Sequence, residues 1–261
     1  MNIVVLIKQV PGSTEIKVDP KTNTLVRDGV EAIVNPFDTY AVEEAVRLKE
    51  AQGGTVTVLT MGPPQAAEAL KQALSVGADR AILVSDRAFA GADTLATSFT
   101  LAAAIRKTGG ADIVIAGKQT LDGDTGQVGP EVAMHLKLPF ATYVKKIESA
   151  DGGKLRVERL VEDGYEVLEL PTPCVITVVK EINEPRLPSL RGIMAAKKAE
   201  IVTWSAADLG EDAKRFGLSG SPTQVVETYV PERVKTGEMI TGTVEQQVDR
   251  LVEKLKETGV L

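Results

Sequence analysis

The chain has 261 residues, 43% of them hydrophobic, which is enough to bury the core of one large domain or of one domain with an appendage. Its 30 Lys and Arg against 36 Asp and Glu give a net charge of −6 that is spread without a basic stretch, which argues against a nucleic-acid-binding protein. One cysteine and one histidine exclude a disulfide, a cysteine-rich cluster and a His/Cys zinc site within this chain, so redox chemistry would need an organic cofactor.

Strand-like and helix-like patterns alternate over the first 120 residues. The first apolar run is far shorter than the roughly 20 residues of a membrane span and follows no basic leader, so we expect a cytoplasmic protein with no membrane insertion. Strands are predicted at residues 3–7, 55–60, 81–84 and 113–116, and helices at residues 39–52, 63–76 and 93–107. Short connections between such elements favour a doubly wound α/β fold, a mostly parallel sheet with helices on its faces.

The pattern changes after residue 136, where four strand-like segments follow one another without long helices. They lie at residues 142–147, 155–160, 166–170 and 174–179, and glycine-containing turns separate the first three. This arrangement favours an antiparallel extension of the same sheet.

The C-terminal part is less regular. Residues 183–201 combine prolines, a glycine and basic side chains, and predict a long exposed segment. Residues 201–261 contain a short strand, a helix start at Ser205 and a final amphipathic helix from residue 243 to about residue 257. This tail has little core of its own, which suggests that it is buried against something else.

Ligands of open α/β sheets bind outside the carboxyl ends of the strands, so loops that follow strands are the candidate sites. The most specific is GKQTLDGDTGQV at residues 117–128, hereafter the glycine loop. Gly123 and Gly126 permit close approach of the backbone, and the next helix would direct free N–H groups and its positive end at a pyrophosphate. Asp122 and Asp124 would repel a phosphate, so we expect them to cap that helix or to bind ribose hydroxyls.

Each candidate also has a purely structural interpretation. A glycine loop that only caps the next helix explains the local pattern equally well, and the GxGxxG motif of nicotinamide-dinucleotide sites is absent. Asp38 is suited to cap the helix after it, residues 61–62 to form a turn, and Asp93 to act as an N-cap. His135 and Cys174 are interpreted as packed residues, because no nucleophile–base pair is evident.

Five segments together resemble the electron-transfer flavoprotein beta subunit. They read MNIVVLIKQVP, DGVEAIVNPFDTYAVEEAVRLKE, MGPPQAAEALKQALSVGADRAILV, GKQTLDGDTGQVGP and NEPRLPSLRGIMAAKKAEI, and the resemblance extends from residue 1 to beyond residue 200. It implies an electron-transfer subunit, not a self-contained enzyme, in a heterodimer with an alpha subunit that carries FAD. It also implies an α/β nucleotide-binding domain of universal-stress-like fold at residues 1–182, a partner-recognition loop at 183–198, and an arm at 199–261 that packs on the alpha subunit.

The resemblance further implies an adenine-nucleotide site. Carried over residue by residue, it comprises Leu6, Lys8, Asn35, Pro36, Phe37, Asp38, Met61, Gly62, Gly117, Lys118, Gln119, Thr120, Leu121, Asp122, Gly123, Asp124, Thr125, Gly126, Gln127 and Val128. Asp93, Thr94 and Thr97 continue the same edge of the sheet and are expected to border a flavin ring. Residues 122–130 read DGDTGQVGP, which resembles the electron-bifurcating subgroup that binds a second FAD here; the mitochondrial-type loop, which holds AMP, is similar to D-D-D-x-N-Q-T-G-Q.

In that subgroup, NADH is expected to reduce this FAD, which passes one electron to ferredoxin or flavodoxin and the other through the alpha-subunit FAD to an acyl-CoA dehydrogenase or reductase. Leu190 matches the leucine that docks the dehydrogenase, and Arg186 and Arg191 would form a basic rim around it. Three alternatives stay open: a non-bifurcating subunit with AMP, a stand-alone nucleotide-binding module of the universal-stress type, and a surface loop at residues 183–198 without a docking role.

Overall fold

The computed structural model describes residues 1–12, 17–18, 25–26, 32–227 and 237–261. In this part of the chain the strands are β1 (Asn2–Leu6), β2 (Gln9–Pro11), β3 (Lys17–Val18), β4 (Leu25–Val26), β5 (Ala32–Val34), β6 (Thr55–Met61), β7 (Arg80–Val84), β8 (Ile113–Gly117), β9 (Phe140–Asp151), β10 (Lys154–Val161), β11 (Gly164–Pro171), β12 (Cys174–Val178) and β13 (Val202–Trp204). The helices are α1 (Pro36–Gln52), α2 (Ala67–Ser75), α3 (Thr94–Lys107), α4 (Val128–Leu136), α5 (Leu190–Lys198), α6 (Ala206–Leu209) and α7 (Val244–Glu257).

Nine strands form one sheet in the order β11-β10-β9-β12-β8-β1-β6-β7-β13. From β9 to β13 every neighbouring pair is parallel. The pairs β9–β10 and β10–β11 are antiparallel. The predicted doubly wound α/β fold is therefore confirmed.

The prediction for residues 174–179 was wrong in strand direction. We expected them in the antiparallel extension, but β12 lies inside the sheet and runs parallel to both β8 and β9. All five of its residues are buried. An uninterrupted apolar run such as CVITV is typical of a strand covered on both faces, and it identifies the strand without indicating its direction.

Alternate side chains of the sheet enter two separate cores. Ile3 and Val5 of β1 pack with α1 and α2 on one face, whereas Val4 and Leu6 pack with α3 and α4 on the other. Successive strand residues point to opposite faces, so β1 supports both helical layers. Each such side chain contributes about 1.5–3 kcal/mol by leaving water.

The two layers create a crevice at one edge of the sheet. The chain leaves β1 towards α1 on one face and leaves the neighbouring β8 towards α4 on the other. Connections that diverge in this way open a gap between the carboxyl ends of the two strands. Lys8 borders the gap after β1, and the glycine loop borders it after β8.

Residues 183–201, expected to form a long exposed segment, are mostly exposed and contain helix α5. Ser189 caps this helix, since its side chain accepts a hydrogen bond of 3.0 Å from the Gly192 N–H. Gly192 also lies against the Ser75 carbonyl group at the end of α2, where a Cβ would come within 3.1 Å of the carbonyl carbon. Pro188 and Ser189 directly precede the helix, and a serine at this position could have predicted its N-terminus.

The chain divides into two compact units, and the first one extends to Val226. In it, β13 pairs with β7 at the sheet edge, and Phe216 is 1% exposed in the core of α3 and α4. Its ring lies 5.1 Å from the ring of Phe89 and 5.7 Å from that of Phe99. Of the residues expected to form an arm, 199–226 thus belong to the α/β unit.

In the second unit, the described residues 237–261 contain helix α7. Thr243 and Gln246 form a reciprocal capping box at its start. The bounds of α7 agree with the predicted helix from residue 243 to about residue 257. Glu238 pairs with Arg250 and Lys254. Within the described residues, no helix combines the length and the apolar character that a membrane crossing needs.

Candidate functional site

The N-terminus of α1 connects the two strands that border the crevice. Asp38 is 4% exposed; its carboxylate accepts a hydrogen bond of 2.7 Å from the Lys8 N–H after β1 and lies against Gly117 at the end of β8. Burial raises the pKa of Asp38 to about 7, against the lowering effect of the Asn35 amide, the nearby Lys8 and Gly117 N–H groups and the Lys8 charge.

Asp38 does not cap the following helix, so the structural alternative for this residue is wrong. The helix begins at Pro36, three residues before the predicted start at residue 39, so Asp38 lies inside the first turn and Asn35 is the N-cap residue. Proline suits this first position because it needs no N–H partner there.

Asn35 connects α1 to the glycine loop. Its side chain is fully buried; the amide nitrogen donates to the Gln119 carbonyl at 2.9 Å, and the amide oxygen accepts from the Leu121 N–H at 3.2 Å. The Asn35 backbone N–H donates to the Lys8 carbonyl at 2.8 Å. A single buried residue therefore joins the end of β1 to the start of the loop.

Gly117 is required by close packing. A Cβ at this position would come within 2.7 Å of the Phe37 Cβ and still closer to the Asp38 carboxylate. No side chain fits between β8 and the first turn of α1. The resemblance placed this glycine in the site, and its direct neighbours are protein atoms.

The glycine loop exposes backbone donors to the crevice. Asp124 and Gly126 adopt left-handed backbone angles, with φ of 52° and 65°; aspartate is among the few side chains that tolerate this region. The Asp124 N–H bonds back to the Thr120 carbonyl at 2.8 Å. Within the described part of the chain, no protein acceptor is paired with the amides of Gly123, Thr125, Gly126 and Gln127.

The two loop carboxylates are paired inside the protein. Both oxygens of Asp122 lie 2.8 Å from the Lys8 ammonium group, across the crevice. Partial burial acts to raise the pKa of Asp122, but the hydrogen bond and the charge of Lys8 outweigh it and hold that pKa below its ordinary value. Asp124 accepts a hydrogen bond from the Gln119 side chain. Of the two roles expected for these aspartates, the capping of α4 is wrong, because its N-cap is Gln127 and has no side-chain cap bond; the binding of ribose hydroxyls stays a prediction.

A lysine between two aromatic rings lies beside the loop. The Lys118 ammonium group is 5.0 Å from the Phe37 ring centroid and 5.5 Å from that of Tyr143. Tyr143 has a left-handed φ of 58° and donates its N–H to the Thr177 hydroxyl at 3.2 Å. Sequence reasoning missed Tyr143, since nothing in ATYVKK marks a strand residue with this conformation.

The remaining residues of the implied nucleotide site flank these groups. Leu6 is buried in the core of α3 and α4, so only its backbone is near the crevice. Met61 ends β6, which neighbours β1, and Gly62 follows it with its N–H donating to the Val84 carbonyl at 3.0 Å. Pro36 is half-buried at the same edge.

Asp93 is the N-cap of α3, as one of its two interpretations predicted, and accepts from the Ala96 N–H at 3.1 Å. Its other oxygen accepts from the Thr223 N–H and hydroxyl at 3.1 and 2.8 Å. Thr94 connects this helix to the glycine loop region, because its hydroxyl lies 3.2 Å from the Gln127 side-chain oxygen. Thr97 follows on the same helix and is half-buried.

His135 and Cys174 lie away from the loop. Burial lowers the pKa of His135, whose ring packs edge-on against Phe99 at 5.6 Å. Cys174 is fully buried in the core of α1 and α2, where burial raises the pKa of its thiol to about 11. Both are packed residues, as predicted.

The residues expected to dock a partner lie on a different part of the α/β unit, around α5. Leu190 is 83% exposed at the start of that helix, and Arg191 beside it is exposed. Arg186 forms ion pairs with Glu43 at 2.8 Å and Glu50 at 2.6 Å on α1. Arg186 therefore holds the segment before α5 against α1.

Comparisons with known proteins agree on one family. A family model described as the electron transfer flavoprotein domain matches residues 22–209. The electron transfer flavoprotein subunit beta of Thermoanaerobacterium thermosaccharolyticum is 52% identical over 100% of both chains. The caffeyl-CoA reductase-Etf complex subunit CarD of Acetobacterium woodii is 51% identical over 100% of both chains. The electron transfer flavoprotein subunit beta of Clostridium acetobutylicum is 51% identical over 98% of both chains.

Proposed function

We propose that this chain holds FAD in the crevice between β1 and β8. The premise is that the chain belongs to the electron transfer flavoprotein family, as a beta subunit. The observation that carries the proposal is the glycine loop, whose amides at Gly123, Thr125 and Gly126 point to no protein acceptor among the described residues. Such amides beside the start of a helix form a site for the pyrophosphate of a dinucleotide.

The charges of the crevice support an anionic ligand. Two carboxylates beside a diphosphate would repel it, but Lys8 neutralises Asp122 and the Gln119 amide occupies Asp124. The Lys118 ammonium group adds a positive charge next to the loop. The residues of this site therefore fit a dinucleotide diphosphate.

The protein supplies binding and orientation in this proposal. The loop amides hold the diphosphate, and Phe37 and Met61, both partly exposed at the crevice, offer apolar surface to the adenosine. Thr94 and Thr97 are the candidates for the ring end, whereas the Asp93 carboxylate is already occupied. When bound, FAD would supply the electron chemistry, taking a hydride from NADH and passing electrons to a ferredoxin or flavodoxin and to an acyl-CoA dehydrogenase or reductase.

The amino-acid sequence of the loop favours FAD over AMP, since DGDTGQVGP at residues 122–130 resembles the subgroup that binds a second FAD. The similarity to a subunit of a caffeyl-CoA reductase-Etf complex supports a partner that acts on a CoA thioester, while bifurcating electron transfer rests on the sequence of the loop. A beta subunit with AMP at the same loop is the second candidate, because the loop amides would hold its single phosphate as well.

Two surfaces serve the protein partners in this proposal. Helix α7 carries an apolar stripe of Val244, Val248 and Leu251, exposed within its own unit, which we assign to the alpha subunit. The second surface is the exposed Leu190 with Arg191 beside it, assigned to the dehydrogenase. Arg186 contributes by fixing the preceding segment to α1.

The test counts cofactors in the purified heterodimer of this chain with its alpha subunit. Released flavin and adenine nucleotide are quantified per heterodimer by absorbance and chromatography after denaturation. Two FAD support the proposal, and one FAD with one AMP supports the second candidate. A heterodimer that retains one FAD in the alpha subunit and no adenine compound in this chain, or a stable unliganded homodimer of this chain alone, contradicts both.

A further inference from the structure

The first turn of α1 presents two kinds of side chain. Phe37 is partly exposed at the crevice, whereas Asn35 is 0% exposed and Asp38 is 4% exposed. The resemblance assigns all of them to the nucleotide site. Their burial separates the residues that can touch a ligand from those that cannot without a rearrangement.

The hydrogen bonds of Asn35 are made to the protein. The side-chain nitrogen holds the Gln119 carbonyl and the side-chain oxygen holds the Leu121 N–H, so the amide bridges two positions at the start of the glycine loop. Because Asn35 is 0% exposed and its amide is paired at both ends, a base or a ribose cannot reach it without displacing a protein group. The amides that lack protein acceptors follow directly, beginning at Gly123.

Asp38 makes the complementary connection. Its carboxylate accepts from the Lys8 N–H after β1 and packs against the Gly117 backbone at the end of β8. These two backbone groups lie on opposite sides of the crevice. The carboxylate therefore sets the separation between the loop and β1.

We propose that Asn35 and Asp38 are positioning residues: their side chains hold the diphosphate-binding amides in place from inside the protein, and neither side chain touches the nucleotide. The inference rests on the proposed function, because it concerns the same dinucleotide site. It assigns the direct contacts of this turn to Phe37 and to the loop backbone.

The proposal separates two parts of the ligand. A residue that acts through the loop amides contributes only to binding of the diphosphate, whereas a residue in contact with the adenosine contributes equally with or without phosphates. ADP and adenosine are therefore the probes, measured by calorimetry on the flavin-depleted full-length heterodimer. Asn35→Ala and Asp38→Asn are the variants.

We expect both variants to weaken ADP about 10-fold or more, as the loss of one or two buried hydrogen bonds implies, and to change adenosine affinity less than about twofold. Asp112→Asn is the matched control. Its carboxylate accepts the Asn2 N–H at 2.6 Å and thus joins the same two strands at their opposite ends, so both affinities stay unchanged. Asn35→Ser replaces Asn35→Ala if the alanine variant is insoluble.

Amide hydrogen exchange of the unliganded heterodimer gives the second measurement. Asn35→Ala should speed exchange at the Leu121 amide and at the loop amides after it, relative to wild type and to the Asp112→Asn control. An equal loss of ADP and adenosine affinity, or unchanged loop exchange, overturns the proposal. Wild-type protein that binds no ADP refutes the dinucleotide function instead, and the exchange measurement still decides whether Asn35 holds the loop.

Discussion

Gly129, in the first turn of α4, has no room for a larger residue. A Cβ there would overlap the Thr177 Cγ2 methyl group on β12, while the Thr177 Cβ would lie at an ordinary 3.8 Å. Thr177 is 3% exposed, so its methyl group cannot move into solvent. Gly129→Ala should therefore destabilise the protein, and Thr177→Ser, which removes only that methyl group, should relieve the overlap.

The expected magnitudes follow from this contact. Overpacking costs about 1–3 kcal/mol, and a rigid β-branched neighbour indicates the upper end. Alanine also restricts the unfolded chain, which stabilises the folded state by about 0.4–1 kcal/mol. This gain applies here because Gly129 does not need a left-handed φ. Gly129→Ala should thus cost about 2 kcal/mol, or roughly 4–8 °C in Tm. Thr177→Ser alone should cost about 1 kcal/mol for the lost methyl group.

In the Thr177→Ser background, Gly129→Ala should become neutral or stabilising, which gives a coupling of about 2–3 kcal/mol between the two positions. Urea unfolding, followed by circular dichroism and by the fluorescence of the single tryptophan, Trp204, measures the wild type and the three variants. The serine hydroxyl still accepts the Tyr143 N–H, so that bond is unaffected. Equal destabilisation by Gly129→Ala in both backgrounds would falsify the reasoning.

Three further predictions concern charge, pH and docking. Lys8→Met should weaken ADP binding on the order of fivefold, because it leaves Asp122 unpaired. The double variant Lys8→Met/Asp122→Asn should restore ADP binding. If the double variant binds ADP as weakly as the single one, Lys8 contacts the phosphate directly. Asp38 has a raised pKa of about 7, so its contribution to stability is present below pH 4 and lost as the pH rises to about 7. Relative to Asp38→Asn, the wild-type free energy of unfolding should fall by roughly 4 kcal/mol over this interval in urea titrations, and a constant difference contradicts it. Leu190→Ala should slow electron transfer to the dehydrogenase without loss of flavin, and unchanged rates would count against the docking role.

The fold was predictable because its signals are local. Apolar runs of four to six residues identified the parallel strands, and the Asp93 cap of α3 lies three residues from the N–H that it accepts. The direction of β12 was not predictable, because its five buried residues look the same in either orientation.

The internal organisation of the site was not predictable, because its bonds join distant positions. Asn35 binds a carbonyl 84 residues away, and Asp38 accepts from an N–H 30 residues away. Local pattern offered only helix capping as a role for Asp38. The second partner of Asp93, Thr223, is 130 residues along the chain and carries no local signal at all.

Phe216 has a consequence for biosynthesis. Its ring fills the space between Phe89 and Phe99, more than a hundred residues before it in the chain, and is 1% exposed. During translation the apolar surface of α3 stays exposed until Phe216 emerges from the ribosome, whereas the layer of α1 and α2 on the other face of the sheet can pack earlier. Nascent chains stalled with α3 outside the ribosome and Phe216 still inside its exit tunnel should therefore be the ones that chaperones hold most strongly.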